Sequence, residues 1–245
     1  MECFKIMNNE IEGRIDPFYY RVEFSELKKL FQKFEVKKLG DIANFQYGLN
    51  KTSKDKGDVV YIRITDIDEY GLLKKDKLAY LDYQDSYYNY KLNKGDLLLA
   101  RIGASFGKTY YFDEDFDAVF AGYLIRIKPN TNEIKTKFLF CFFQTKYFWS
   151  QAKQLVKGGA QPQFNANTIK DLLIPFPDEQ TQNHIIELME KAYSSKKSKE
   201  SQAQKLLDSI NDYVLDELGI KSPKLKDKMT YVAYSDEIKG KRIDP

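Results

Sequence analysis

The chain predicts an α+β fold: a globular domain of mixed sheets, followed by one long C-terminal α-helix of the coiled-coil spacer kind. Three observations carry this expectation. Strand-like segments come first and helical ones are interspersed, with no regular βαβ alternation. From Asp178 to Leu218 there is neither proline nor glycine, which allows a helix of up to ~60 Å at ~1.5 Å per residue. The start of the chain also returns at its end. Glu10-Ile11-Glu12-Gly13-Arg14-Ile15-Asp16-Pro17 recurs as Glu237-Ile238-Lys239-Gly240-Lys241-Arg242-Ile243-Asp244-Pro245, with one inserted residue. Repeats set architecture; one unit fills the chain and a second begins where it stops, as in half of a two-module protein.

The expected divisions are a globular domain over 1–177, with 1–35 as a lead-in, a spacer or dimerisation helix over 178–218, and a lysine-rich linker with the start of a repeated unit over 219–245. In the lead-in, Ser25 caps a short helix carrying Leu27, Leu30, Phe31 and Phe34 at helical spacing. From Val36 the pattern turns to β. Val59–Ile64 is β-branched and aromatic, and Asp96–Ala100 is apolar on both faces, as in a buried strand. Lys108–Phe112 and Ala118–Ile127 read as further strands. Lys56-Gly57-Asp58, Asn93–Asp96 and Asp113–Asp117 are the turns between them.

Thr136–Leu155 reads as one helix with a broad apolar face, from Phe138 to Leu155, ended by Gly158. A loop over Lys157–Gln163, a short helix after Asn167 and a closing strand over Leu172–Pro175 complete the domain. In the long helix one heptad phase aligns Ile186, Met189, Tyr193, Lys196, Glu200, Ala203, Leu207, Ile210 and Val214. Its middle, Ser194–Gln202, is polar all round, a stretch costly to keep helical without a partner. Laid antiparallel about Ser198, the seam sets Lys196 against Glu200 of a second chain, which points to a two-fold dimer.

The totals narrow the function. Hydrophobic residues are 42% and charged residues 31%, enough for a core. Apolar runs fall short of the ~20 residues that span a bilayer, and the first residues lack a secretory pattern; the chain reads as cytoplasmic. Two cysteines, Cys3 and Cys141, are too few for a disulfide framework or a zinc site, and Cys141 sits among phenylalanines as a core thiol. A net charge of +3 argues against a purely electrostatic binder of nucleic acid.

Gly103-Ala104-Ser105-Phe106-Gly107-Lys108-Thr109 resembles a phosphate loop, but has three residues where four belong between the glycines. Tyr110-Tyr111-Phe112 then favours a strand over the required helix. The turn between two strands is the plainer reading, and a nucleotide hydrolase or nuclease built on Gly103–Thr109 the alternative. His184, the only histidine, has no triad around it. Asp66, Asp68 and Glu69 are spaced as a solvated turn more than as a metal site. Recognition by scaffolded loops is the chemistry left to the chain. Lysine, arginine and amide side chains suit phosphates and base edges. On that chemistry the candidate contacts are Lys51, Lys54, Arg63, Tyr88, Arg101, Lys108, Lys157, Gln161 and Gln163.

A succession of motifs then carries a resemblance. It runs through Leu39-Gly40-Asp41-Ile42, Tyr61–Ile67, Lys94–Gly103 with Gly107-Lys108, Gln163-Phe164-Asn165 to Ile169, and Ile174-Pro175-Phe176-Pro177 with Glu179-Gln180 and Ile185. In this order, over roughly 36–218, it resembles the target recognition domains of DNA specificity subunits from type I restriction–modification systems. The resemblance implies a non-catalytic subunit that reads half of a split double-stranded DNA target in the major groove. It implies antiparallel spacer helices against which methyltransferase subunits dock, and a restriction (motor) subunit that joins them. No cofactor is expected on this chain; S-adenosylmethionine, ATP and magnesium belong to the partner subunits. One recognition domain instead of two leaves a truncated product or a half-subunit that pairs with a second copy. An assembly adaptor that reads no sequence is the remaining alternative.

Overall fold

In the computed structural model, residues 29, 31, 32, 34–155 and 165–219 are described. The chain falls into two units, Met1–Lys191 and Ala192–Pro245. The first opens with β1 (Val36–Lys38), a single helical turn α1 (Leu39–Ile42) and β2 (Ala43–Tyr47). Next come β3 (Val59–Ile62), β4 (Tyr80–Leu81), β5 (Leu97–Ala100), β6 (Thr109–Tyr111), β7 (Ala118–Phe120) and β8 (Leu124–Pro129). Short 3-10 turns sit at Ile64–Asp66, Asp85–Tyr90 and Gly103–Ser105. Helices α2 (Thr136–Phe143), α3 (Lys146–Leu155) and α4 (Ala166–Lys170), the strand β9 (Leu173–Pro175) and the 39-residue α5 (Glu179–Glu217) complete the order.

Three sheets form. β2-β8-β5-β6 is antiparallel throughout, β4-β3-β7 contains the parallel pair β3/β7, and β1 pairs with β9. All four residues of β5 are buried, as an apolar run with no polar face requires. One core cluster gathers Leu98, Ala100, Tyr110, Phe112, Phe120 and Leu124 with Val60, Ile62 and Ile67.

Two expected elements divide. The apolar run Ala118–Ile127 becomes β7 and β8, in different sheets, with a turn at Ala121–Tyr123. Gly122 permits the turn: a Cβ there would stand 1.9 Å from Asn50 Oδ1. The helix expected over 136–155 breaks into α2 and α3. The Thr145 hydroxyl causes the break, donating to the Phe142 carbonyl (2.7 Å) and accepting from the Phe148 amide (3.4 Å). It closes one helix and caps the next. The short helix expected after Asn167 starts earlier, because the Asn165 side chain accepts from the Thr168 amide. The Ser25 cap and most of the lead-in lie outside the described residues.

α5 begins where the sequence places it. The Asp178 carboxylate accepts from the Thr181 amide (2.8 Å), and these helix amides hold it below the usual carboxylate range. Buried Gln182 binds the first turn of α5 to the domain, accepting from the Lys135 amide and donating to the Glu133 and Pro177 carbonyls. Lys135–Glu179 and Lys137–Glu190 pairs reinforce it. In the second unit the helix stops at Gly219, whose φ of +67° suits a glycine C-terminus. Leu206, Leu207, Ile210, Tyr213 and Val214 are exposed there.

Candidate nucleic-acid interface

β2 and β5 both end, and β8 begins, at the same end of the four-stranded sheet, since Tyr47 pairs with Ile125 and Ala100 with Leu124. Backbone hydrogen bonds stitch the three connecting segments together. Gly48 donates to Leu124, Gly122 to Leu49, and Arg101 to Tyr123. Lys51, Arg101 and Lys108 lie on the segments joined at that end of the sheet. The Lys51 amide donates to the Tyr61 hydroxyl (3.3 Å), and its ammonium stands 5.8 Å from the Tyr87 ring centre. Tyr61 in turn donates to the Leu49 carbonyl (2.5 Å), and burial pushes its pKa up, so it stays a neutral donor. Lys108 leads into β6, its carbonyl accepting from Ala100.

Arg101 is the best organised of these side chains. Its Nε donates to the Gly122 carbonyl (3.0 Å). Its guanidinium carbon lies 5.1 Å from the Tyr47 ring centre and 6.0 Å from that of Tyr123. Both tyrosines are exposed, and sequence reasoning missed them. The signal available was a tyrosine beside a glycine at each strand end, Tyr47-Gly48 and Gly122-Tyr123.

Other candidates lie elsewhere or are already engaged. Lys54 bridges to Tyr80 of β4 and pairs with Asp82; that hydrogen bond, then the charge, raises its pKa. Arg63 holds Asp66 through Nε and Nη2, the latter at 2.8 Å, while Asp66 accepts from the Arg63 amide. The pair closes the turn Ile64–Asp66. Lys54 and Arg63 line a cavity of about 510 Å³ with Lys75 and Lys77. Lys75 pairs with Glu114, so three of the cavity's four cations are already neutralised. Asp68 is likewise spent on backbone, accepting from the Tyr70 and Leu72 amides. Among the described residues no acidic, histidine or cysteine cluster could hold a metal.

Tyr88 is largely exposed on the turn Asp85–Tyr90. A partly buried network fixes that turn: Arg126 donates to the Asn89 carbonyl (2.8 Å), the Lys91 carbonyl (2.9 Å), Asp96 Oδ2 (3.0 Å) and the Gln46 side-chain oxygen. Lys157, Gln161 and Gln163 lie outside the described residues.

The glycine loop lacks the geometry for phosphates. The Phe106, Gly107 and Lys108 amides donate to the Gly103, Ala100 and Ser105 carbonyls, and the loop runs on into the strand β6 instead of a helix. Those donors are spent within the turn and cannot cradle an anion.

On α5, the seam residues Ile186 and Met189 are half-buried, whereas Ala203, Leu207, Ile210 and Val214 are exposed. Lys196 pairs with Glu200 of its own helix (2.5 Å), so an interchain pair would have to displace this one. Among the described residues no helix is long and apolar enough to cross a membrane.

The sequence matches the family model of the type I restriction modification DNA specificity domain over residues 32–209. The specificity subunit of the type I restriction enzyme EcoBI from Escherichia coli is 27% identical over 184 residues, covering 71% of this chain and 38% of that protein. The HindI specificity subunit from Haemophilus influenzae is 29% identical over 103 residues, 40% of this chain and 22% of that protein. The chain thus spans less than half the length of these curated relatives. The S subunit structure from M. genitalium superposes with a TM-score of 0.51 at 19% identity, over 76% of this chain and 47% of that one. A type I R-M structure bearing on complex assembly and conformational transition gives 0.52 at 12%, over 80% and 50%. These two likenesses concern the fold.

Proposed function

We infer, because this chain belongs to the type I restriction modification DNA specificity domain family, that it reads the sequence of double-stranded DNA and leaves chemistry to the subunits it assembles with. The family match carries the inference, since it runs through all three sheets and into α5. The reading face is the end of the four-stranded sheet whose connecting segments carry Lys51, Arg101 and Lys108, with Lys157, Gln161 and Gln163 as further contacts. Lysines there suit phosphates, and planar or amide side chains suit base edges. The chain itself is non-catalytic, consistent with spent amides in the glycine loop and a histidine, His184, on an open helix surface.

The second role is assembly. The exposed apolar residues of α5, Leu207, Ile210 and Val214, are positioned to pair antiparallel with the same helix of a second copy or of a second recognition domain. Methyltransferase subunits dock along that pair and a restriction (motor) subunit joins them, in the cytoplasm, with S-adenosylmethionine, ATP and magnesium held by those partners. The reading would then cover one half of a two-part target.

The test is a fluorescence-anisotropy titration of the full chain against a duplex enriched from a random pool and against its scrambled counterpart. Expected is a preference of at least about 100-fold, from a few base pairs at about 1–3 kcal/mol each. Equal affinity for both would remove sequence reading and leave an assembly adaptor. Light scattering tests pairing separately; a monomer at high concentration counts against it.

A further inference from the structure

We propose that Arg101 reads a guanine, and that Tyr47 and Tyr123 are positioning residues that hold its guanidinium ready for that base. The inference rests on the DNA-reading function above and adds to it a residue, a base and a device.

Three arginines fall among the described residues: Arg63, Arg101 and Arg126. Arg63 is bound to Asp66 and Arg126 to Asp96. Arg101 has no carboxylate partner among the described residues, although it is partly withdrawn from solvent. Its contacts are all of the orienting kind. Nε is held by the Gly122 carbonyl (3.0 Å), and the guanidinium is flanked by the rings of Tyr47 and Tyr123. Its backbone amide donates to the Tyr123 carbonyl (3.0 Å), tying the arginine to one of those tyrosines. The Tyr47 hydroxyl accepts from the Ala166 amide (2.9 Å), which fixes the other ring. One nitrogen is used to set the plane, and among the described residues no hydrogen bond engages the two terminal nitrogens, whose hydrogens point to a ligand.

A fork of two parallel N–H groups fits the O6 and N7 acceptors of guanine in the major groove. A phosphate would need only charge, which Lys51 and Lys108 already bring to the same sheet end. Holding an arginine in one orientation before the ligand arrives removes part of the ordering cost from binding. Such an arrangement favours directional recognition over attraction at a distance. It also explains why two exposed tyrosines stand at strand ends, where packing does not require them.

The experiment selects duplexes from a randomised library with the full wild-type chain and with Arg101→Lys, Arg101→Gln and Tyr123→Leu variants, each checked for an unchanged melting curve. The wild-type motif is expected to contain a G·C pair at which R101K, which keeps the charge and loses the fork, discriminates about 5- to 150-fold less well. Other positions and the salt dependence should hold. R101Q should lose the same position, and Y123L should weaken it in part. A wild-type motif without guanine, an R101K motif identical to the wild type, or an R101Q loss uniform over all duplexes with a salt slope reduced by about one would overturn the proposal. A wild-type chain that enriches no motif would instead bring down the DNA-reading function, and this proposal with it.

Discussion

Replacing Arg126 with methionine is the sharpest perturbation of the scaffold beneath the candidate interface. The Arg126 and Asp96 side chains are only 13% and 9% exposed. The guanidinium serves four acceptors: the Asn89 and Lys91 carbonyls, Asp96 and Gln46. Methionine keeps the unbranched stem beside Phe120, over which the guanidinium lies at 5.3 Å. It leaves the Asp96 carboxylate to the Asn93 amide (3.0 Å), in a site with little access to water. Breaking one side of such a pair costs about 3–5 kcal/mol, a fifth or more of a typical domain's stability of about 5–15 kcal/mol. Asp96→Asn alone costs less, about 1.5–3 kcal/mol, because shape and some hydrogen bonding survive. The double variant should cost less than the sum by about 1–3 kcal/mol, since neither partner is then left charged and alone. Urea unfolding of the wild type, both single variants and the double variant measures this cycle. Strict additivity, or a loss below about 1 kcal/mol for R126M, would refute the reasoning. Because Arg126 holds the Asn89 and Lys91 carbonyls, amides of the Asp85–Tyr90 turn should also exchange faster in R126M.

Three further outcomes are expected. Burial pushes the Cys141 thiol up to about 11, above its unfolded value, so the neutral form stabilises the fold fully below about pH 9. That contribution is lost as pH rises towards 11. Denaturant unfolding against pH should therefore slope downward in this window, with a shallower slope for Cys141→Ala; in a Cys3→Ser background Cys141 should resist iodoacetamide until the chain unfolds. Gly107→Ala should cost about 1–3 kcal/mol by thermal unfolding, since φ is +81° and an added Cβ would meet the Trp149 ring at 2.7 Å. Replacing Leu207, Ile210 and Val214 together by aspartate should abolish pairing in sedimentation experiments while leaving the near-ultraviolet spectrum of the first unit intact; unchanged association would remove α5 as the pairing element.

The parts that could be read in advance are those encoded locally. β5 announces itself as an apolar run, and α5 by its freedom from proline and glycine after Asp178 and by Gly219 at its end. The features that escaped depend on partners distant in sequence. Nothing within Ala118–Ile127 says that its halves serve different sheets; only Gly122, tight against Asn50, marks the turn. The break between α2 and α3 rests on one threonine hydroxyl, a weak signal in an otherwise strongly apolar helix pattern. Candidate contacts divide for a similar reason. Arg63 and Lys54 carry charge that Asp66 and Asp82 cancel. Arg101 gains its orientation from Tyr47, Gly122 and Tyr123, on strands that meet only in the fold.

We propose that sequence reading belongs to one end of the four-stranded sheet, and assembly to the long helix. Hydrogen–deuterium exchange of the full chain with and without its enriched duplex separates the two roles. Protection should gather over 47–51, 101–108 and 121–124, with residues 203–217 unaffected by DNA alone. Protection confined to the helix, or spread evenly and abolished equally by any competitor duplex, would contradict it.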